Sequence, residues 1–350
     1  MILPGATIGI LGGGQLGRML AMAAAQLGYR CHVFSPEKDS IAAEVSARFT
    51  CADWHDRAAL AAFAHDCAVV TYEFENVPVA PLAAIPAGRL FPGTRALEVA
   101  QDRLREKRFV EELGGRPAAY AAVDSDGELR GAIERVGTPG ILKTRREGYD
   151  GKGQWRITSA GEADGIRVPN EGMVYEGLVR FAAEFSVILA RGRDGAVRFW
   201  DSPQNVHEGG ILARSSLPAA DIVAAQVPEA RELAGKAAEA LGYVGVLTLE
   251  FFATADGPVF NEMAPRVHNS GHWTIEGALT SQFENHVRAI CGLPLGDTAT
   301  RFAQVEMANL IGDDAVSAVE LLHDPAVHLH FYGKTEARQG RKMGHVTRVS

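Results

Sequence analysis

Two glutamates, Glu250 and Glu262, lie at matching positions in two segments that are each typical of a β-strand. Ala255-Asp256-Gly257 between these segments is typical of a hairpin loop, and a loop centred on Asp256 pairs position 250 with position 262. Both carboxylates then leave the same face of the hairpin, with Cβ atoms roughly 5 Å apart. Since like charges at this separation repel, we expect a cation between them, and Mg²⁺ held by carboxylates and substrate phosphates fits this chemistry. The alternative is a shifted register in which one glutamate is simply solvated.

A second cluster of charge lies around a glycine-rich loop. Lys143 ends a segment typical of a strand, and three glycines follow within residues 148–153. The backbone N–H groups of such a loop can fold over phosphates, and neighbouring cations suit the same anion. These cations are Lys143, Lys152, Arg145 and Arg146. The spacing is not the GxxxxGK[ST] pattern of a P-loop, and a solvated basic hairpin is the alternative interpretation.

The first glycine-rich segment, residues 12–17, satisfies GxGxxG between a predicted strand and a predicted helix. This is the pattern of a dinucleotide-binding turn. The next predicted strand ends Phe34-Ser35-Pro36, without the acidic residue that usually holds the ribose, so a nicotinamide cofactor is disfavoured. We expect instead a tight turn at a helix N-terminus that holds an anionic part of a substrate. The alternative is a turn that serves only strand–helix packing.

Composition excludes several classes of protein. The chain has 350 residues, of which 47% are hydrophobic and 22% charged, and its formal net charge is −8. These values are typical of a globular protein with two or three units, and the negative charge argues against a general nucleic-acid or membrane surface. The four cysteines show no CxxC spacing, and no stretch approaches the ~18 apolar residues of a membrane span. We therefore expect a cytoplasmic protein with reduced thiols that binds neither nucleic acid nor membranes.

The order of strand and helix patterns predicts four regions. Residues 1–95 alternate strand and helix, which predicts a Rossmann-like domain with a parallel sheet. Residues 96–179 begin with an amphipathic linker helix and continue with short strands and glycine-rich loops, which indicates a small, mobile lid domain. Residues 180–300 hold the glutamate hairpin in a larger mixed domain, and residues 301–350 are β-rich. The expected fold class is therefore α/β and α+β.

These features occur together in an order that resembles the ATP-grasp superfamily: a lysine-bearing strand, a glycine flap, and paired glutamates on adjacent antiparallel strands. The resemblance covers nearly the whole chain and becomes specific in four segments. They are residues 14–20 (GQLGRML), 148–155 (GYDGKGQW), 261–273 (NEMAPRVHNSGHW) and 340–345 (GRKMGH). Within the superfamily, these segments resemble the 5-(carboxyamino)imidazole ribonucleotide synthase family of purine biosynthesis. The resemblance implies an ATP-grasp fold behind an N-terminal Rossmann-like domain.

The activity that this resemblance implies is ATP-dependent carboxylation of 5-aminoimidazole ribonucleotide. Bicarbonate attacks the γ-phosphate of ATP to give ADP and carboxyphosphate, which then carboxylates the exocyclic amine of the ribonucleotide. ATP and Mg²⁺ are implied as cofactors, the ribonucleotide and bicarbonate as small-molecule substrates, and a homodimer as the assembly. The first step is phosphoryl transfer, in which a protein mainly positions groups and neutralises charge.

The resemblance also implies residues for the nucleotide and its metal. Glu250 and Glu262 would hold Mg²⁺. Ala264 stands where many ATP-grasp proteins carry an asparagine ligand, so water or Asn261 would fill that position. The implied nucleotide contacts are Arg103, Lys143, Gly148, Tyr149, Asp150, Gly151, Lys152, Gly153, Gln154, Glu176, Gly177, Leu178, Val179, Glu184, His207, Asn261 and Glu262. Without the resemblance, Glu184 is better interpreted as a surface strand residue and His207 as a loop histidine.

For the carboxylation step, the resemblance implies that Arg266 faces bicarbonate and the carboxyphosphate, because a fixed cation matches the charge on that oxyanion. The implied catalytic residues are Arg266, His268, Asn269 and Lys152. The implied ribonucleotide contacts are Gln15, Leu16, Glu73, Glu75, Tyr149, Lys152, His268, Asn269, Ser270, Lys334 and Arg341. A plain polar turn is the alternative for residues 268–270.

Three other functions compete with this hypothesis. Another ATP-grasp carboxylate ligase, such as a formate-dependent transformylase or a biotin-carboxylase-like enzyme, would share the glutamate hairpin. A nicotinamide-dependent oxidoreductase would use residues 12–17, but the missing ribose acid disfavours it. A non-catalytic nucleotide-binding protein would not need the paired glutamates.

Overall fold

The first part of the chain folds as a parallel α/β layer. A computed structural model of the protein describes residues 1–146, 148, 153–163 and 165–350. The first elements are β1 (Thr7–Leu11), α1 (Gln15–Gln26), β2 (Arg30–Ser35), β3 (Arg48–Cys51), α2 (Arg57–His65) and β4 (Val69–Tyr72). All strand pairs are parallel, in the order β3-β2-β1-β4, as the alternating pattern predicts.

Two helices, α3 (Thr94–Ala100) and α4 (Arg103–Glu112), lead to a small antiparallel sheet. Asp102 begins α4 by accepting hydrogen bonds from the backbone N–H groups of Leu104 and Arg105, so that Arg103 lies in the first turn. The small sheet has the order β5-β8-β6-β7. Its elements are β5 (Tyr120–Val123), α5 (Leu129–Val136), β6 (Gly140–Thr144), β7 (Gln154–Ile157) and β8 (Met173–Gly177).

The remaining strands form one nine-stranded sheet in the order β14-β13-β9-β11-β12-β15-β17-β16, with β10 paired to β9. Its strands are β9 (Ala183–Arg191), β10 (Val197–Phe199), β11 (Gln204–Glu208), β12 (Ile211–Leu217), β13 (Gly245–Thr254), β14 (Gly257–Ala264), β15 (Val305–Ile311), β16 (Val327–Phe331) and β17 (Lys342–Val349). The accompanying helices are α6 (Asp221–Ala224), α7 (Val227–Ala240), α8 (Thr274–Gly277), α9 (Gln282–Cys291) and α10 (Asp314–Ser317). Because β15 to β17 continue this sheet, the predicted boundary at residue 300 does not interrupt it. The division at residues 95, 179 and 300 stays a prediction.

One continuous apolar core joins the first layer to the large sheet. Leu20 of α1, Ile188 of β9 and Ile290 of α9 belong to the same buried cluster. The small sheet has a core of its own, which includes Val123 and Leu142. The small sheet therefore has a separate hydrophobic core, whereas the first layer and the large sheet share one core. Within the described ranges, no helix has the length and apolar character needed to cross a membrane.

Candidate functional site

A cleft of about 800 Å³ lies where the three sheets meet. It gathers most of the described residues that the sequence singles out. Those lining it are Gln15, Leu16, Glu73, Glu75, Arg103, Lys143, Gly148, Gln154, Glu184, His207, Glu250, Asn261, Glu262, Arg266, His268 and Asn269. Residues far apart in sequence thus face one volume, of the size usual for a small-molecule site.

The hairpin of β13 and β14 places Glu250 directly opposite Glu262, which confirms the predicted pairing. The route to this register differs from the prediction. Thr254 pairs with Gly257, so the turn has two residues rather than a loop centred on Asp256. A β-bulge between Glu250 and Phe251 then shifts the register by one residue. The bulge leaves Asn261 as the extra residue beside the pair, where it also lines the cleft.

The electrostatics of this pair fit a bound cation. Burial, and then the charge of Glu262, raise the pKa of Glu250 to about 7. Two cationic or protonatable groups lie near: Arg103 Nη1 is 3.7 Å from Glu262 Oε2, and His268 Nε2 is 3.2 Å from Glu250 Oε1. Neither separation is that of a tight ion pair. Carboxylate oxygens that repel each other at a cleft wall suit Mg²⁺, a hard cation that takes one or two carboxylates and completes its shell with water and phosphate.

The described part of the chain offers no group of three or more His, Cys, Asp and Glu side chains that would hold a metal alone. The donor set at the hairpin is therefore two glutamates, with the Asn261 side chain beside them. This is an incomplete shell of the kind that needs substrate oxygens, which agrees with a metal that arrives with a nucleotide.

A buried ion-pair cluster holds Lys143 at the cleft. Its Nζ lies 2.9 Å from Glu176 Oε2, and Lys107 Nζ lies 3.2 Å from Glu176 Oε1. Burial raises the pKa of Glu176, but Lys143 and Lys107 outweigh it and bring the pKa to about 2. The sequence analysis missed Lys107, although it lies four residues after Arg103 and so on the same face of α4.

Glu184 on β9 and His207 on β11 form a hydrogen bond of 2.6 Å between Oε2 and Nδ1. Burial lowers the pKa of His207, but this bond and the charge of Glu250 raise it overall. Both side chains line the cleft. They are therefore neither an isolated surface residue nor an isolated loop histidine.

Arg266 and Glu75 connect the large sheet to the first layer. Nη2 of Arg266 lies 2.9 Å from Oε1 of Glu75, and Nε donates to Oε2, so the pair is bidentate. Burial raises the pKa of Glu75, but the Arg266 charge and hydrogen bonds bring it below its usual value. The guanidinium is consequently fixed in one orientation at the cleft wall.

The glycine turn at α1 differs from the prediction, because the anion that it holds belongs to the chain itself. Glu73 is buried and accepts hydrogen bonds from Gly17 N (2.6 Å) and Gly14 N. A Cβ on Gly12 would lie 2.3 Å from Glu73 Cγ, so this glycine makes room for that side chain. Burial raises the pKa of Glu73 despite these two bonds. The turn therefore presents a carboxylate to the cleft, with Gln15 and Leu16 beside it.

Some predicted residues lie elsewhere. Gly153, Glu176, Gly177, Leu178, Val179, Ser270, Lys334 and Arg341 are described but are absent from the described lining of the cleft. Lys334 Nζ donates to Lys342 O at 2.7 Å, and Arg341 Nη1 donates to Glu336 O at 2.9 Å. Tyr149, Asp150, Gly151 and Lys152 lie outside the described residues. The lining also includes Arg145, one of the cations predicted around the glycine-rich loop, and Glu106, His272 and Lys342, which the sequence analysis did not assign to the site.

Three family models match the chain in succession. Residues 5–101 match the ribonucleotide synthetase preATP-grasp domain, residues 108–283 the ATP-grasp domain, and residues 306–350 the phosphoribosylaminoimidazole carboxylase C-terminal domain. N5-carboxyaminoimidazole ribonucleotide synthase of Brucella melitensis is 49% identical to the chain, over 99% of this chain and 97% of that protein. The chain belongs to the N5-carboxyaminoimidazole ribonucleotide synthase family.

Solved structures of this family have the same fold as this chain. An ADP complex of an N5-carboxyaminoimidazole ribonucleotide synthetase has a TM-score of 0.93 at 39% identity and covers 100% of this chain and 94% of that one. The synthase of Aspergillus clavatus, in complex with ADP and 5-aminoimidazole ribonucleotide, has a TM-score of 0.88 at 31% identity and covers 99% and 94%. These matches confirm the family and the ATP-grasp fold that the sequence motifs indicate.

Proposed function

We propose that the protein carboxylates 5-aminoimidazole ribonucleotide with bicarbonate, converting ATP to ADP and phosphate, in purine biosynthesis. The observation that carries this proposal is the Glu250–Glu262 pair, which faces the same cleft as the fixed cation Arg266. The same cleft thus offers one group that suits a metal-bound nucleotide and another that suits an oxyanion. Family membership over nearly the whole chain supports the same reaction. The protein is accordingly an ATP-dependent carbon–nitrogen ligase.

The nucleotide half of the site uses the hairpin and the small sheet. Glu250 and Glu262 would hold Mg²⁺, which neutralises phosphate charge when bound. Arg103 and Lys143 contact the phosphates, because both are held at the cleft: Arg103 Nη2 donates to Gly148 O at 2.8 Å, and Lys143 is paired with the buried Glu176. Glu184 accepts hydrogen bonds from the ribose hydroxyls, with His207 bonded behind it. The segment 176–179 begins at the end of β8, which pairs with the Lys143 strand β6, and its backbone binds adenine. Residues 148–154 cover the γ-phosphate.

Arg266 serves the carboxylation half. Three of its five N–H groups bind Glu75 and Val267 O, which leaves two N–H groups unpaired within the described part of the chain. These two donate to bicarbonate and then to the carboxyphosphate, where negative charge develops. An oxygen of bicarbonate attacks the γ-phosphorus while the bond to ADP breaks. The amine then attacks the carboxyl carbon, phosphate leaves, and the amine loses a proton.

The ribonucleotide lies between the glycine turn and the 268–270 turn. Glu73, Glu75, His268 and Asn269 are the polar groups there, with Gln15 and Leu16 at the start of α1. Lys342 lines the cleft and Lys334 and Arg341 are absent from its described lining, so Lys342 is the better candidate for the ribose phosphate. Tyr149 and Lys152 of the flap complete the proposed set. We further propose a cytoplasmic homodimer.

The test is ADP release from ATP and Mg²⁺, with and without bicarbonate and 5-aminoimidazole ribonucleotide. We expect release to rise strongly only when both are present, and we expect carboxylated ribonucleotide to form in equal amount. Release that is indifferent to the ribonucleotide would contradict the proposal and move the function to another ATP-grasp ligase.

A further inference from the structure

A row of buried polar side chains lies under the 268–270 turn. Ser186, Asn205 and Ser215 stand on neighbouring strands, and each is at most 4% exposed. Asn205 Nδ2 is 2.6 Å from Ser186 Oγ, and Ser215 Oγ is 2.8 Å from Asn205 Oδ1. The row continues upward, since Ser270 Oγ is 2.9 Å from Ser186 Oγ and 2.8 Å from His268 Nδ1. Nothing in the reaction itself requires such a row at this depth.

One contact fixes the direction of every hydrogen bond in the row. The backbone N–H of Ser270 points at His268 Nδ1 at 3.3 Å, and a backbone N–H can only donate. Nδ1 is therefore an acceptor without a proton, and the Ser270 hydroxyl must also donate to it. The single proton of Ser270 is then used, so the Ser186 hydroxyl donates to Ser270.

The same assignment of donors applies to the far end of the row. The Ser186 hydroxyl already donates its only proton to Ser270. Asn205 must therefore turn its amide N–H towards Ser186 and its Oδ1 towards Ser215. Ser215 then donates to Oδ1. All four bonds run the same way, from Ser215 to His268. An imidazole whose Nδ1 accepts hydrogen bonds is neutral, so the one ring proton of His268 lies on Nε2.

We infer that Ser215, Asn205, Ser186 and Ser270 are positioning residues that act with the backbone N–H of Ser270 to hold His268 as its Nε2–H tautomer, with this N–H beside Glu250. Nε2 lies 3.2 Å from Glu250 Oε1. The tautomer therefore decides whether a proton or a lone pair of Nε2 lies against that carboxylate. Partners of this kind, one step behind a metal ligand, typically affect metal affinity or activity by about 10–100-fold. This consequence rests on the proposed function, whereas the tautomer does not.

The tautomer is measured directly by two-bond ¹⁵N–¹H correlation spectra of the whole protein with labelled histidine. The His268 signals are those missing from the spectrum of His268→Gln. We expect a protonated Nε2 and an unprotonated Nδ1. A protonated Nδ1 would overturn the inference.

Asn205→Asp tests whether the row sets the tautomer, because a carboxylate of the same shape accepts from both Ser186 and Ser215. Ser270 must then donate to Ser186, and Nδ1 loses its hydroxyl donor. At about pH 9, where the new carboxylate is ionised, we expect the fraction of Nδ1–H tautomer to rise. Asn285→Asp makes the same change at a buried amide that binds Gly296 outside the row, and it should leave the His268 signals unchanged. Equal spectra for both variants would refute the role of the row.

If Asn205→Asp does not fold, Ser270→Ala removes the hydroxyl donor without a new charge, and the Nδ1–H fraction should again rise. ADP release separates the two parts of the inference. We expect kcat of Asn205→Asp to fall by about tenfold or more, with Asn285→Asp within about threefold of wild type. A shifted tautomer with unchanged kcat would overturn the role at Glu250. Failure of the proposed function looks different, because wild type itself would then show no ribonucleotide-dependent release.

Discussion

The glycine turn at α1 and the glutamate hairpin both present carboxylates to the cleft, but they balance the charge in opposite ways. In the glycine turn, the backbone N–H groups of Gly14 and Gly17 bind Glu73, so donor and acceptor belong to the same chain. In the hairpin, Glu250 faces Glu262 across two strands, and the repulsion contributes to a pKa of about 7 for Glu250. Glu73 has its partners within the chain, whereas among the described residues no charged Lys or Arg makes a tight ion pair with Glu250 or Glu262.

This difference shows how to interpret charged motifs. A motif with an apparent vacancy for an anion, such as GxGxxG, has to be checked for a side chain that already fills it. A pair of like charges without a tight ion pair to any described cation of the chain, as at this hairpin, leaves its charge to be balanced by a ligand. The hairpin is therefore the stronger indicator of a ligand, although the glycine turn is the better-known pattern.

The largest effect is expected at the hairpin. Glu262→Gln removes one of the two opposed charges, so ATP turnover should fall by at least about 1000-fold, equivalent to about 4 kcal/mol. The free energy of unfolding should stay the same or rise slightly, because the repulsion is relieved. Turnover is measured as ADP release and stability by urea denaturation. Glu239→Gln, at an exposed position on α7, is the matched control and should change neither. Near-normal turnover in Glu262→Gln would contradict the assignment of Glu262 as a metal ligand.

The glycine turn should respond in stability. In Gly12→Ala the new Cβ would meet Glu73 Cγ at 2.3 Å in a backbone with φ +114°, so we expect a loss of about 3 kcal/mol or more in the free energy of unfolding. Gly88→Ala has φ +76° and no atom within 4 Å of the new Cβ, so it reports the backbone cost alone, about 1 kcal/mol. Equal losses in both variants would show that Glu73 does not occupy the turn.

The smallest effect is expected at Glu106. This residue lies beside the hairpin but, like Glu73, accepts a hydrogen bond from a backbone N–H. Its Oε1 accepts from Met263 N at 2.6 Å, and burial followed by the charge of Glu262 raises its pKa to about 8. Glu106→Gln keeps an acceptor for Met263 and should match wild type in stability. Glu106→Ala leaves that N–H unpaired and should lose about 2 kcal/mol in urea denaturation. Indistinguishable Ala and Gln variants would mean that this bond does not brace the hairpin.

The hairpin pairing could be predicted because strand pairing is local and only a few residues set it. Even so, the prediction reached the right register by the wrong route, since the shorter turn and the bulge compensate each other. A bulge depends on packing across the sheet, which the local sequence does not reveal. Lys143 could be predicted from its motif, and the parallel first layer could be predicted from the alternation of strands and helices.

What could not be predicted depends on contacts between distant segments. Glu73 follows β4, and nothing in its neighbourhood indicates that it enters the turn before α1. Lys107 and Glu106 look like ordinary charges on an amphipathic helix until α4 is placed against Glu176 and Met263. Lys334 and Arg341 were assigned to the ribonucleotide and Lys342 was not, and only the fold shows that Lys342 is the one of the three in the described lining of the cleft.

The bond between Glu75 and Arg266 joins residues 191 positions apart in the sequence. During synthesis on the ribosome, the first layer can fold long before Arg266 has left the exit tunnel, whereas the oxyanion end of the cleft cannot exist until it has. Closing so long a loop costs entropy that only the docked core repays. We therefore expect phosphoryl transfer to be among the last properties a nascent chain acquires, which keeps an incomplete enzyme from spending ATP.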